Sequence, residues 1–156
     1  MAKRHNYALQ IEWTGNTGDG TKSYKSYTRD YSVVAAGKPL ILGSSDPAFL
    51  GDALRYNPEE FLVASLSACH MLWYLHLCST NGIVVLDYKD AATGAMEVQA
   101  NGSGAFTEVV LNPAVTIAAG GDAAKAEALH EEAHKFCFIA KSVNFPVRVT
   151  ATLLER

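Results

Sequence analysis

The chain has little charge, little cysteine and nothing that marks an exported or extended protein. Asp, Glu, Lys and Arg make up 19% of its 156 residues, with a formal net charge of −3. No basic run accompanies this balance, which argues against nucleic acid as a partner. Lys3 and Arg4 stand near the N-terminus without an apolar segment behind them, so no secretory signal is expected. No stretch reaches the roughly 18 uncharged apolar residues of a membrane span. Phe61–Ser79 comes nearest, and His70 and His76 interrupt it. The three cysteines, Cys69, Cys78 and Cys137, are too few and too odd in number for a secreted disulfide framework. These absences leave a reducing cytoplasm as the expected location. There is no repeat, linker or low-complexity tract, and the length suits one domain over residues 1–156.

What is present reads as an α+β chain with mostly antiparallel strands and two unlike helices. Tyr7, Leu9, Ile11 and Trp13 alternate with polar or small residues, the period of a half-buried strand. The glycine-rich turn at residues 15–20 leads into a second expected strand over Ser23–Ala35, and Pro39–Leu42 suggests a third. Asn57-Pro58-Glu59-Glu60 is a helix start: Asn57 as N-cap, Pro58 in the first turn, Glu60 closing a capping box. The helix should run to about Thr80 and stop at Asn81-Gly82. Leu62, Met71, Leu72, Trp73 and Leu75 leave it no polar face, which implies burial on most sides and points to an oligomer. Strands are expected at Ile83–Tyr88, Ala95–Ala100, Phe106–Leu111 and Ala114–Ala118, a second helix over Ala123–Ala140, and a last strand over Val147–Leu154.

Two of the cysteines sit in strongly patterned helical segments 68 residues apart, Cys69 in the first and Cys137 in the second. A thiol in an apolar helix is usually inert bulk, because poor solvation disfavours the thiolate. Cys78 falls on the opposite side of the first helix from Cys69 and reads as structural. Pattern alone leaves core packing and a dithiol redox pair both open for Cys69 and Cys137.

Asn57-Pro58-Glu59, an apolar run, and then Ala68-Cys69 resembles the OsmC/Ohr family of thiol-dependent peroxidases. Arg29-Asp30 matches that family's Arg-Asp pair, Cys137 matches its second cysteine, and the expected element order agrees over essentially the whole chain. The resemblance implies an OsmC-like fold with a long buried central helix, in an intertwined homodimer. It also implies that Cys69 is the peroxidatic nucleophile, Cys137 the resolving thiol, and Arg29 and Glu59 the tuning pair. No cofactor or metal is implied. A thiol pKa lowered from about 8.5 to about 6 requires roughly 3.4 kcal/mol of preferential thiolate stabilisation. A partly buried guanidinium at Arg29 would supply that charge, with Glu59 holding its fork. The implied substrate is an organic or fatty-acid hydroperoxide, and the implied reductant an external thiol. The segment Cys137-Phe-Ile-Ala departs from the Pro that many members carry after the second cysteine.

Other readings compete. A thiol redox sensor would use the same cysteines but turn over slowly. A non-catalytic binder of apolar ligands would use Cys69 only as pocket lining. His130-Glu131-Glu132-Ala133-His134 spells the zinc-protease motif, but its charged surroundings and the lack of a third histidine downstream speak against a zincin. Cys69 and His70 are adjacent on a helix, about 100° apart, and do not make a nucleophile–base pair.

Overall fold

The computed structural model describes residues 3–156, in two compact units that divide at Phe61–Leu62. In the first unit, β1 (Gln10–Trp13), β2 (Tyr31–Val34) and β3 (Ile41–Gly43) form an antiparallel sheet in the order β1-β2-β3. Trp13 faces Tyr31 in register, and Tyr31 faces Gly43. The Tyr31 ring lies so close to Gly43 that a Cβ there would stand 2.3 Å from it.

The second strand is much shorter than its composition suggests. Over residues 16–28 the side chains of Ser26, Thr17 and Asn16 bond the local backbone instead of leaving it for a ladder. Ser26 Oγ donates to the Gly20 and Ser23 carbonyls, and Asn16 Oδ1 accepts from the Gly18 and Gly20 N–H groups. Such local bonds compete directly with sheet formation. Gly15 anchors this loop, because a Cβ there would meet the Thr28 carbonyl oxygen at 1.9 Å.

The first helix, α1, spans Pro58–Thr80. Its start is the expected reciprocal box: Glu60 N–H donates to Asn57 Oδ1 (2.8 Å) and Asn57 N–H to Glu60 Oε2 (3.0 Å). Its end is a Schellman turn on Gly82, with φ of 72°, where Ile83 N–H returns to the Cys78 carbonyl at 2.9 Å. By length and composition α1 is apolar enough to cross a membrane. Within the single chain it buries only the stripe Leu66, His70, Tyr74 and Cys78, spaced by four residues. The expected burial on most sides is therefore not met by this chain alone: Leu72 stays 62% exposed.

The rest of the second unit is two three-stranded sheets. β4 (Val85–Asp90), β7 (Pro113–Ile117) and β9 (Thr152–Glu155) form one in the order β4-β7-β9; β5 (Thr93–Val98), β6 (Gly104–Leu111) and β8 (Val147–Val149) form the other in the order β5-β6-β8. The pairs β4–β7 and β5–β6 are antiparallel, while β6–β8 and β7–β9 are parallel. The single last strand expected from sequence is thus two strands, one given to each sheet. Parallel pairing needs a crossover, and α2 (Ala123–Phe136) lies in that connection. Asp122 caps α2 by accepting the Lys125 N–H at 2.9 Å. Leu129 and Ala133 of α2 join Tyr74 and Cys78 of α1 in one core cluster with Val115 and Ile117; Leu66, Val109 and Leu111 form a second.

Candidate functional site

α2 ends four residues earlier than its pattern suggests. Cys137 is the C-cap, with φ −64° and ψ 109°, and a short 3-10 turn at Ala140–Ser142 follows it. The apolar Phe138-Ile139-Ala140 prolongs the helical pattern in sequence, but the chain has already left the helix. Cys137 is buried all the same, and Cys69 is half-buried. Both are free, and the Cys69 thiol lies near enough to the Cys137 thiol to perturb it. Burial pushes the Cys137 thiol up to about 11; the Ala140 N–H, donating to Sγ at 3.4 Å, opposes that rise and the neighbouring Cys69 thiol adds to it. The position at a helix C-terminus acts in the same direction, since the dipole there disfavours an anion.

Aromatic rings flank this pair. Trp73, one turn beyond Cys69 on α1, stacks on Phe136 at 5.2 Å and meets Phe138 edge-on at 5.4 Å. These two phenylalanines bracket Cys137 in the chain and are 47% and 66% exposed. A reduced thiol pair beside an accessible aromatic surface suits an apolar molecule that carries an oxidising group.

The residues expected from the first unit are arranged differently from the expectation. The Arg29 guanidinium lies between two tyrosine rings, 4.2 Å from the Tyr24 centroid and 4.3 Å from that of Tyr27. Its Nη1 and Nη2 each donate to a backbone carbonyl, of Tyr27 and Tyr24, at 2.7 Å. Among the described residues no carboxylate pairs with it, so the expected Arg29–Glu59 fork is not formed. The ion pair that does form joins Arg55 to Asp30 (3.6 Å) and Asp52 (3.4 Å). Glu59 stands instead near Tyr31, whose hydroxyl is pushed up first by burial and then by that carboxylate. Arg29 is thus a cation held by two carbonyls and two rings, with no carboxylate partner among the described residues.

Sequence reasoning missed a pair of buried histidines in the second unit. His70 Nε2 and His130 Nδ1 lie 3.0 Å apart, and both residues are buried. Burial, above all, holds each well below the usual histidine range, at about 4; His134 lowers His70 further, whereas Asp90 opposes the shift. The spacing Leu66-His70-Tyr74-Cys78 was the available signal, because it sets His70 on the one fully buried stripe. Among the described residues no three His, Cys, Asp or Glu side chains are placed to hold a metal ion, and His130 turns its Nδ1 to His70.

The sequence profile of the OsmC-like protein family matches residues 51–152. The chain belongs to that family. Among solved structures, an OsmC-like protein of unknown function from Vibrio cholerae is 28% identical, with a TM-score of 0.86 over 96% of this chain and all of that one. An organic hydroperoxide resistance protein from Elizabethkingia anophelis is 19% identical, with a TM-score of 0.67 over 99% of this chain and 100% of its own. The organic hydroperoxide resistance protein OhrB of Bacillus subtilis is 20% identical, with a TM-score of 0.57 over 94% and 98%. These two share the fold with this chain. No curated protein matches it.

Proposed function

We propose that the protein is a thiol-dependent peroxidase that reduces organic hydroperoxides to alcohols. The observation that carries this reading is the proximity of two free thiols, Cys69 and Cys137, beside the exposed Phe136 and Phe138. The Cys69 thiolate attacks the distal peroxide oxygen. The S–O bond forms, the O–O bond breaks, and the departing alkoxide takes a proton to become the alcohol. The Cys137 thiol then attacks the sulfenic sulfur, an S–S bond forms, and water leaves. An external thiol reductant returns the disulfide to two thiols by exchange. Arg29 and Glu59 are assigned to the same step, Arg29 as the cation that favours thiolate over thiol. Among the described residues it has no carboxylate partner, which supports that assignment.

The aromatic rings around Cys137 favour organic or fatty-acid hydroperoxides over hydrogen peroxide, which gains nothing from an apolar wall. The uncovered apolar side of α1 supports a homodimer. The high pKa of Cys137 favours a slow resolving step, which is the property a thiol redox sensor would share.

Intact mass and peptide mapping after one equivalent of cumene hydroperoxide, beside a hydrogen peroxide control, test the proposal. The expected product is a Cys69–Cys137 cross-link that forms faster with the organic peroxide. Persistent sulfenic acid at Cys69 would favour the sensor, and unmodified thiols with both oxidants would refute the peroxidase.

A further inference from the structure

Buried polar atoms without a partner are few in native proteins, and each calls for a reason. Here five of them gather in the second unit: His70 Nδ1, Tyr74 OH, Tyr88 OH, His130 Nε2 and His134 Nδ1. The Tyr74 ring lies 3.8 Å from that of His130 and 6.0 Å from that of Tyr88. At the centre of the group is the short His70–His130 contact. Its ring planes are 7° apart and its centroids 5.4 Å apart, as expected for two imidazoles meeting nitrogen to nitrogen in nearly one plane. One ring donates its N–H to the lone pair of the other, which requires both to be neutral or to share one proton.

This bond joins the two elements that carry the thiols. His70 directly follows Cys69 on α1, and His130 lies seven residues before Cys137 on α2, about two turns or roughly 10 Å along the helix. Other side-chain contacts join the same elements: Trp73 meets Phe136 and Phe138 at a partly exposed surface, Tyr74 stacks on His130, and Tyr74 and Cys78 share a buried cluster with Leu129 and Ala133, packing contacts that lack the direction of a hydrogen bond. The imidazole bond is directional and dry. A disulfide requires a Cα separation of roughly 4.4–6.8 Å and facing Cβ vectors, so an ångström of slippage between the helices matters.

We propose that the His70–His130 hydrogen bond is a clasp between the cysteine-bearing helices that holds the Cys69 and Cys137 thiols in disulfide-forming geometry. Both histidines are then positioning residues, acting through α1 and α2 and touching neither thiol. The inference rests on the proposed Cys69–Cys137 disulfide, but not on peroxide as its oxidant.

The clasp is also proton-sensitive. A second proton on the pair leaves two donors facing each other, and even the first puts a cation in an apolar core. From β4, Asp90 favours that cation at His70, but it already accepts from Ser67 Oγ and from the Asn112 N–H. From α2, His134 opposes it. Glu127 and Glu131 stand with His130 along two surface clefts of about 240 and 250 Å³, walled by Leu153 in one and by Val147 and Val149 in the other. Tyr74 and Tyr88 stay neutral phenols, their pKa values raised by burial.

The test is the equilibrium of the Cys69–Cys137 pair with reduced and oxidised glutathione at pH 7. It is run on the wild type, on His130→Phe and on the double variant His70→Gln/His130→Asn. His130→Phe keeps a ring but loses the bond, and should lower the effective molarity of the thiol pair about tenfold. In the double variant, amide atoms stand near the lost Nε2 and Nδ1 positions, and it should recover to within about threefold of wild type. By reciprocity, the wild-type histidine resonances should titrate about one pH unit lower in the disulfide form than in the dithiol form. A purely structural pair would change stability and leave the glutathione equilibrium and the two titrations unaltered; that result overturns the clasp. Should His130→Phe fail to fold, identical titrations in the two redox forms still overturn it. A wild-type disulfide that forms with glutathione but never with cumene hydroperoxide would sink the peroxidase and leave the clasp standing. No disulfide with either oxidant would overturn both.

Discussion

The buried histidine pair makes the protein's stability depend on acid in a defined window. Both imidazoles are neutral in the fold, with pKa values pushed down from 6.5 to about 4. In the unfolded chain they protonate near 6.5. Between those values the unfolded chain binds more protons than the fold, so stability rises with pH across the window. Their stabilisation is fully present above pH 6.5 and lost as pH falls towards 4. For one histidine shifted this far, going from pH 7 to pH 5 removes about 2 kcal/mol, and for two independent ones about 4 kcal/mol. Because the rings share a hydrogen bond, the pair should fall between these figures. For a chain of this size that corresponds to a melting point lower by roughly 4–16 °C. Urea unfolding followed by tryptophan fluorescence at pH 7 and pH 5 measures it. The matched control is His70→Gln/His130→Asn, which keeps the other titrating groups and removes these two. Wild type should lose about 2–4 kcal/mol more than the control over this interval. Parallel losses in the two proteins would refute the assignment of the acid sensitivity to this pair.

Three further outcomes follow from the geometry. Cys137→Ser should stop the cross-link and leave Cys69 as a sulfenic acid that dimedone traps; unlabelled protein after peroxide would contradict the assigned order of the thiols. Leu66→Ala removes a fully buried side chain between α1 and the β6 residues Val109 and Leu111, and should cost about 2–5 kcal/mol in denaturant unfolding. Gly15→Ala puts a methyl group into the Thr28 carbonyl, so the loop must shift and melting should fall by several degrees; an unchanged melting curve would mean that this loop carries no stability.

The punctuation of the chain was legible because it is local. Asn57 and Glu60 cap each other, and Gly82 ends α1, through residues three to five apart in sequence. The element order and the OsmC-like family were readable for the same reason. The end of α2 was not, because Cys137 is followed by no Gly or Pro and Phe138-Ile139-Ala140 keeps the apolar rhythm. The stretch before β2 carries tyrosines and threonines that favour strand, yet Ser26 and Asn16 bond the local backbone. The division of Val147–Leu154 between two sheets depends on partners at Val109–Leu111 and Ala114–Ile117, far away in the chain. The His70–His130 contact spans 60 residues; the four-residue spacing marks His70 as buried but does not name its partner. At Arg29 the sequence pointed to a cation, but the tyrosine rings and carbonyls that hold it come from the fold of its own loop.

Cys137 stands just past the last turn of α2, in extended backbone. A bond from here to Cys69, as proposed, would bear on the end of the α2 ladder alone, where the Cys137 N–H reaches the His134 carbonyl at 3.3 Å. A second thiol embedded within a helix would have to strain that helix at every oxidation and release the strain at every reduction. In the proposed cycle, a thiol mounted at the helix's end would spare the α2 scaffold that strain.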